Sequence, residues 1–187
     1  FASHFVGQDI WSHDAGREGT EMILTIAAIA GDFRLAQAFV GEKSRADHAD
    51  LVRAMRQTVG ALFWSLDAFN SWNSNGASQP IPTFGADSDI SLEPLRINRK
   101  RLYQMFELGV AELEPVLASI LEPATLNELK HTALAGEENF RYSDDLWVRT
   151  VYEFAGSYHK QVINRDHIIQ ALAPLYRGKA YTFLAQN

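Results

Sequence analysis

A short alternating segment constrains this chain more than any other feature. Residues 33–40 place Phe33, Leu35 and Phe39 on odd positions between two glycines, and this period of two predicts a β-strand. A strand needs a neighbour to pair its backbone groups. Because no second convincing strand pattern occurs in the sequence, we expect the partner sheet to be encoded outside this chain. The start at Phe1 rather than Met also suggests a piece of a longer protein.

Helical periodicity accounts for most of the remaining sequence. Apolar residues recur at spacings of three and four, and capping residues stand at the predicted helix starts. We expect a helix from Gly19 or Thr20 to Gly31 that is apolar on nearly all sides and buried, and a long loop over 73–94. The other predicted helices run from Asp47 or Asp50 to Trp72, from Asn98 to Leu121 with a kink at Pro115, from Pro123 to Ala135, from Ser143 to Val162, and from Asn164 to a break near Pro174. The predicted fold class is therefore mainly α.

Composition excludes several classes of protein. The chain has 187 residues, 17 Lys and Arg against 23 Asp and Glu, and no cysteine. The missing cysteines exclude a disulfide scaffold, a thiolate zinc site and a cysteine nucleophile. The net charge of −6 argues against sequence-independent binding of nucleic acid, which needs a basic face. No apolar run approaches the roughly 20 residues of a membrane span, so we expect a soluble, cytoplasmic protein.

Three polar constellations are candidates for chemistry. Asp87-Ser88-Asp89 has the D-x-D form in which two carboxylates hold one divalent cation. It follows no apolar strand, however, which favours a solvated turn. His13-Asp14 has the form of the dyad in HD-type metal phosphohydrolases. His48 lies in a polar loop between the predicted strand and the following helix, where functional residues concentrate.

Three stretches of the sequence resemble a known family. They read GTEMILTIAAIAGDFRLAQAFVGEK over 19–43, MRQTVGALF over 55–63, and LWVRTVYEFA from Leu146 followed by YHK, RDH and LAPLYRGK up to Lys179. Together they resemble the C-terminal half of family 2-like, GT-A-fold glycosyltransferases, a group similar to glucosyl-3-phosphoglycerate synthase and mannosylglycerate synthase. The likeness runs from about residue 17 to 184.

The resemblance implies a fold, an activity and partners. Residues 1–45 would form the C-terminal edge of the catalytic domain, and residues 46–187 a bundle-like helical C-terminal domain. The strand at 33–40 would belong to the GT-A sheet of a missing N-terminal half. The parent would transfer a hexose from a nucleotide sugar to glycerate, phosphoglycerate or a similar hydroxy acid, and would form a homodimer. This chain alone is expected to be inactive.

Specific residues follow from the same resemblance. Glu21 matches the family's acidic residue near the acceptor and the reacting carbon, and Gly19 and Thr20 would contact the acceptor. In the family a histidine after the G-x-K step completes a Mg or Mn site. Here Arg45 follows Lys43 at the matching place, so Lys43 and Arg45 are expected near the diphosphate. His48 is the alternative metal ligand, and no tightly bound metal is expected in this chain alone.

Two other functions remain open at this point. The chain could be a non-catalytic helical interaction or dimerisation module that kept the shape and lost the chemistry, as Arg45 in the place of a histidine suggests. It could also be an HD-type metal phosphohydrolase built on His13-Asp14. Metal binding separates these alternatives, because a phosphohydrolase would hold manganese or a similar ion within this chain.

Overall fold

The computed structural model describes residues 19–40, 51–69, 81–85 and 97–186. The prediction of a mainly α fold is confirmed, since the described residues form seven α-helices and one sheet of two short strands. The chain divides into two compact units, which we call unit 1 (residues 1–95) and unit 2 (residues 96–187). The predicted domain boundary at 45/46 lies outside the described residues and stays a prediction.

Unit 1 contains two packed helices, α1 (Thr20–Ala30) and α2 (Leu51–Ala68). Ile23 and Ala27 of α1 and Ala61 of α2 form one buried cluster. The helix predicted to start at Gly19 or Thr20 is confirmed, with Gly19 as N-cap. The expectation that it is buried on nearly all sides is wrong, because Ile29 on its outer side is 48% exposed. A helix buries only the stripe that a neighbour covers.

The second helix confirms the predicted element, and its buried residues extend beyond the predicted stripe. The sequence predicts a stripe that includes Met55, Val59 and Leu62. Met55 is 5% exposed, and the other two are half-buried. Ala61 and Phe63, outside that stripe, are 0% and 1% exposed. Spacing identifies a helix from sequence, but the face it buries depends on where its partner lies.

The sheet of unit 1 pairs β1 (Gln37–Ala38) with β2 (Thr83–Phe84) in parallel. Gln37 N donates to Pro82 O over 2.9 Å, and Phe39 N to Phe84 O over 2.9 Å. Two expectations are thereby corrected. The strand covers two residues rather than 33–40, and those two residues have a partner inside the chain, within a stretch predicted to be loop. Two local features fit this pair: Pro82 favours extended backbone at Ile81 before it, and Gly85 leaves β2 at φ 89°.

Unit 2 is an all-helical assembly whose helix starts follow the sequence closely. Its elements are α3 (Arg99–Glu112), α4 (Glu114–Ile120), α5 (Pro123–Leu134), a 3₁₀ turn (Glu137–Asn139), α6 (Asp144–Lys160) and α7 (Arg165–Gln186). Asn98 accepts a hydrogen bond from Arg101 N, and Ser143 accepts one from Leu146 N. Both are the predicted N-caps. The predicted kink at Pro115 is confirmed as a break between α3 and α4 at Leu113.

Helices α3 and α7 cross at two glycines. A Cβ at Gly109 would lie 2.7 Å from Pro174 Cγ, and one at Gly178 would lie 2.8 Å from Phe106 Cγ. The predicted helix break near Pro174 is wrong, because α7 continues through Pro174. Pro174 forgoes one backbone hydrogen bond, but its buried ring fills the space above Gly109, and the burial of Leu175 and Thr182 holds the second half of the helix in place.

The core of unit 2 is aromatic. Phe106, Phe140 and Tyr142 are each fully buried. Ring centroids lie 4.9 Å apart between Phe106 and Phe140, and 5.6 Å apart between Phe106 and Tyr142. Tilted and edge-on ring pairs of this kind add to the burial of the rings themselves. Across the described ranges, no helix combines the length and apolar character that crossing a membrane requires.

Candidate functional site

The N-terminus of α1 brings three of the predicted site residues together. Gly19 is the buried N-cap, Thr20 is half-buried at the first helical position, and Glu21 is exposed in the first turn. The carbonyl of Gly19 accepts from Met22 N over 3.0 Å and from Ile23 N over 3.1 Å. These bonds fix the first turn, so the carboxylate of Glu21 projects from a defined piece of backbone.

The packing of α1 holds this turn in place. Ile23 and Ala27, one and two turns further on, are 1% and 0% exposed. Thr25 also donates its hydroxyl to Glu21 O over 2.8 Å within the same helix. Chemically, a carboxylate here can accept a hydrogen bond from a hydroxyl group, while the partial positive charge of the helix end favours an anionic ligand.

The remaining predicted site residues cannot be placed beside Glu21. Lys43, Arg45 and His48 lie outside the described residues, and so do His13-Asp14 and Asp87-Ser88-Asp89. Their assigned roles stay predictions. Within the ranges that the structure does describe, no group of three or more His, Asp or Glu side chains is placed to hold a metal ion.

A second polar region lies at the α6–α7 corner, which we define as residues 158–167. Arg165 donates from Nε to Tyr158 O over 3.2 Å, and its guanidinium carbon lies 4.5 Å above the centre of the Tyr158 ring. Gln161 takes a left-handed conformation, with φ 52°, that ends α6. A surface depression of about 350 Å³ opens here, lined by Gln161, Ile163, Asn164, Arg165 and Asp166.

The corner contains the segment that carries the most specific part of the resemblance. The Y-H-K triplet at 158–160 and the R-D-H triplet at 165–167 lie on either side of the turn between α6 and α7. Their contacts there are structural, because Arg165 both stacks on Tyr158 and bonds its carbonyl, and Asn164 caps α7 through Asp166 N over 2.9 Å. The position of His159 on the predicted helix, one turn after Ala155, predicts a half-buried imidazole, but the structure leaves its side chain exposed at the end of α6.

Buried polar groups of unit 2 serve the fold. Tyr142 donates its hydroxyl to Thr150 Oγ1 over 3.0 Å, and its backbone N donates to Thr182 Oγ1 over 3.0 Å. Burial raises the pKa of the Tyr142 hydroxyl, so this phenol stays neutral and cannot act as a base. Lys179 donates to Tyr142 O over 3.2 Å and pairs with Asp144.

Glu153 is a residue whose role the sequence does not reveal directly. Its carboxylate accepts from Glu122 N over 2.8 Å and from Thr125 Oγ1 over 2.6 Å. It thereby caps the N-terminus of α5 from a different helix. The signal in the sequence is indirect: Glu122 is not one of the residue types that cap helices well. In the structure it has no side-chain cap bond of its own, so another acceptor is needed.

Comparison with family models, with curated proteins and with solved structures finds no match to this chain.

Proposed function

We propose that this chain is the C-terminal part of a nucleotide-sugar-dependent glycosyltransferase that transfers a hexose to a small hydroxy acid of the glycerate or phosphoglycerate type. The proposal starts from the three stretches that resemble this family, which run through both units. The parent protein would bind the donor sugar, its nucleotide and the acceptor. The parent would act in the cytoplasm as a homodimer.

The observation that carries the proposal is the character of the β1–β2 pair. Parallel strands occur almost only in larger sheets that are covered on both faces. Here two residues pair with two, and the apolar side chains around them are open: Phe39 is 45% exposed, Val40 90%, Ile81 52% and Phe84 60%. Such a pair fits the edge of a larger α/β sheet, as a GT-A nucleotide-binding half would supply.

The first turn of α1 fits the acceptor side of such a reaction. In the transfer, an acceptor hydroxyl forms a bond to the sugar's anomeric carbon while the bond from that carbon to the diphosphate breaks. The carboxylate of Glu21 can accept a hydrogen bond from that hydroxyl and take up its proton as the new bond forms. Gly19 and Thr20 would then hold the acceptor close to the helix end.

The departing diphosphate needs positive charge. We assign this task to Lys43 and Arg45, since a guanidinium neutralises phosphate oxygens directly. A divalent metal in the parent would also help to neutralise the diphosphate, and His48 would be its one ligand from this chain.

The proposal is tested in the full-length protein that contains this chain. We expect it to release nucleoside diphosphate from at least one nucleotide sugar in the presence of glycerate or phosphoglycerate. Glu21→Gln should lower kcat by a factor of about 100 or more while changing the KM for the donor less than threefold, because the role assigned to Glu21 lies on the acceptor side.

The matched control is Glu112→Gln, an exposed glutamate at the end of α3, which should leave kcat unchanged. Failure to turn over any nucleotide sugar would overturn the proposed function. Turnover that is indifferent to Glu21→Gln would overturn the role of Glu21 alone.

A second candidate is the non-catalytic helical interaction module. It is favoured by unit 2, where the polar groups described above are occupied in holding helices together. If the full-length protein binds no nucleotide sugar, this function replaces the first.

A further inference from the structure

One tryptophan of unit 2 lies between two tyrosines that differ in their access to water. The centroid of the Trp147 ring, on α6, is 5.8 Å from that of Tyr142 and 6.2 Å from that of Tyr176 on α7. Tyr142 is fully buried, whereas Trp147 and Tyr176 are half-buried. None of the three rings takes part in the proposed sugar transfer.

The hydroxyl of the buried tyrosine has no group to which it could lose its proton. Tyr142 donates to Thr150 Oγ1 over 3.0 Å. The hydroxyl of Thr150, which is also fully buried, donates to Leu146 O over 2.7 Å. A hydroxyl and a backbone carbonyl accept hydrogen bonds, but neither is basic enough to hold a proton in a dry interior. Burial also raises the pKa of Tyr142, so its proton stays in place.

Tyr176 can release its proton to solvent. Its side chain is half-buried, so water reaches part of it. Burial raises the pKa of this phenol as well, which keeps it protonated at neutral pH. An oxidised phenol is a much stronger acid than a neutral one, however, and water is then a sufficient acceptor. The two neighbours of Trp147 therefore differ in what they can do after losing an electron.

We propose that Trp147 and Tyr176 form a relay that carries a one-electron oxidation from the indole ring to the phenol. A small radical oxidant, of the azide or carbonate radical class, takes one electron from Trp147 and becomes the corresponding anion. Tyr176 then gives one electron to the oxidised indole, and the O–H bond of Tyr176 breaks as its proton passes to water. Trp147 is restored, and Tyr176 becomes a neutral phenoxyl radical.

Two properties of the arrangement set this direction. Electron transfer is fast between rings this close, and both distances lie in the range of ring pairs in contact. Loss of the proton makes the phenoxyl radical more stable than the oxidised indole, whereas a tyrosine that keeps its proton is harder to oxidise than tryptophan. Tyr142 is the nearer ring but keeps its proton, so the oxidation ends at Tyr176. This inference uses unit 2 only and is independent of the proposed function.

Limited exposure of the chain to azide radicals, generated by pulse radiolysis of a sodium azide solution, tests the relay. Peptide mass spectrometry then measures the fraction of Trp147 that carries added oxygen, separately from the rest of the four tryptophans in the chain. Tyr176→Phe should raise this fraction severalfold, because a phenylalanine ring cannot reduce the oxidised indole, which then reacts with oxygen. The variant keeps the ring and its packing, so a purely structural role of Tyr176 would not produce the change.

Two matched variants serve as controls. Tyr142→Phe removes the nearer phenol and should leave the oxidised fraction of Trp147 unchanged, because that phenol keeps its proton. Tyr152→Phe removes a phenol from α6 that is 75% exposed and should also leave the fraction unchanged. Circular dichroism should show the same helical content for all three variants.

The relay also predicts how the reaction proceeds in time. Transient absorption should show indole radical converted to phenoxyl radical at a rate that does not depend on protein concentration, since both rings belong to one chain. Trp147→Phe and Tyr176→Phe should remove the same part of this conversion, because each removes one end of the relay. Equal oxidation of Trp147 in the unmodified chain and in Tyr176→Phe overturns the proposal. A rise of the same size with Tyr142→Phe also overturns it, since the oxidation would then end at the buried ring.

Discussion

Two close approaches of backbone, one in each unit, differ in what surrounds them. In unit 2 the glycines of the α3–α7 crossing face Pro174 and Phe106, which are both buried. In unit 1 a Cβ at Gly85 would lie 3.1 Å from Phe39 O, but Phe39 itself is 45% exposed. The first contact is enclosed by a packed core. The second is a backbone pairing with open apolar side chains around it.

The difference shows where each unit obtains its stability. Unit 2 buries rings and aliphatic chains around its helices, so burial of apolar surface dominates its free energy of folding. The strand pair of unit 1 depends on a few backbone hydrogen bonds, each worth only about 1 kcal/mol net. Substitutions at the two places should therefore differ in size, and the order of their effects tests the comparison.

Among the glycine, cap and strand positions compared here, the largest effect is expected at the crossing of α3 and α7. Gly109→Ala should lower the free energy of unfolding by about 3 kcal/mol, because overpacking forces helices or side chains apart. Pro174 is rigid and cannot rotate out of the way. Chemical denaturation followed by circular dichroism measures the change.

The control for this substitution is Gly156→Ala, also inside a helix of unit 2 but with open space at its Cβ. It should raise the free energy of unfolding by about 0.5–1 kcal/mol. If both substitutions were stabilising, the close approach of α3 and α7 would be wrong.

An intermediate effect is expected where α6 caps α5. Glu153→Ala removes the acceptor for Glu122 N and leaves the hydroxyl of Thr125, which is 2% exposed, without its partner. We expect a loss of about 2 kcal/mol, which combines a lost cap with an unsatisfied buried donor. Thermal or chemical unfolding of the purified chain measures it.

Glu153→Gln distinguishes the two contributions, since its amide oxygen replaces one acceptor only and should recover part of the loss. Glu112→Ala, on an exposed surface, should change stability by less than about 0.5 kcal/mol. Equal losses for Glu153→Ala and Glu112→Ala would show that the carboxylate contributes nothing as a cap.

Local signals predicted the parts of this fold that local chemistry determines. Asn98 and Ser143 are recognisable as caps because their side chains accept from backbone N–H groups three residues further along the chain. The break predicted at Pro174 is wrong for the same reason: local rules end a helix at a proline, whereas the structure packs Pro174 against Gly109 of another helix and buries Leu175 beyond it. Sequence could not supply that contact.

The same distinction, between what neighbouring residues determine and what distant residues determine, applies to the candidate site. That Glu21 lies in a first turn follows from the pattern after Gly19, and the structure confirms the position. Its assigned chemistry depends on groups distant in sequence, namely Lys43, Arg45 and His48, and on the resemblance. The sequence does not reveal the partner of β1, because β2 is two residues long and gives no alternating pattern.

The smallest effect is expected at the strand pair. Phe84→Ala should lower the free energy of unfolding of this chain by less than about 1 kcal/mol, because Phe84 is 60% exposed and its pairing uses backbone atoms. Phe63→Ala, in the same unit but 1% exposed, should cost about 3–5 kcal/mol. Equal losses would show that Phe84 is already enclosed within this chain. In the full-length protein, where we propose that a larger sheet continues from this pair, Phe84→Ala should approach the cost of Phe63→Ala, because the same ring would then be buried by the added strands and the helices that cover them.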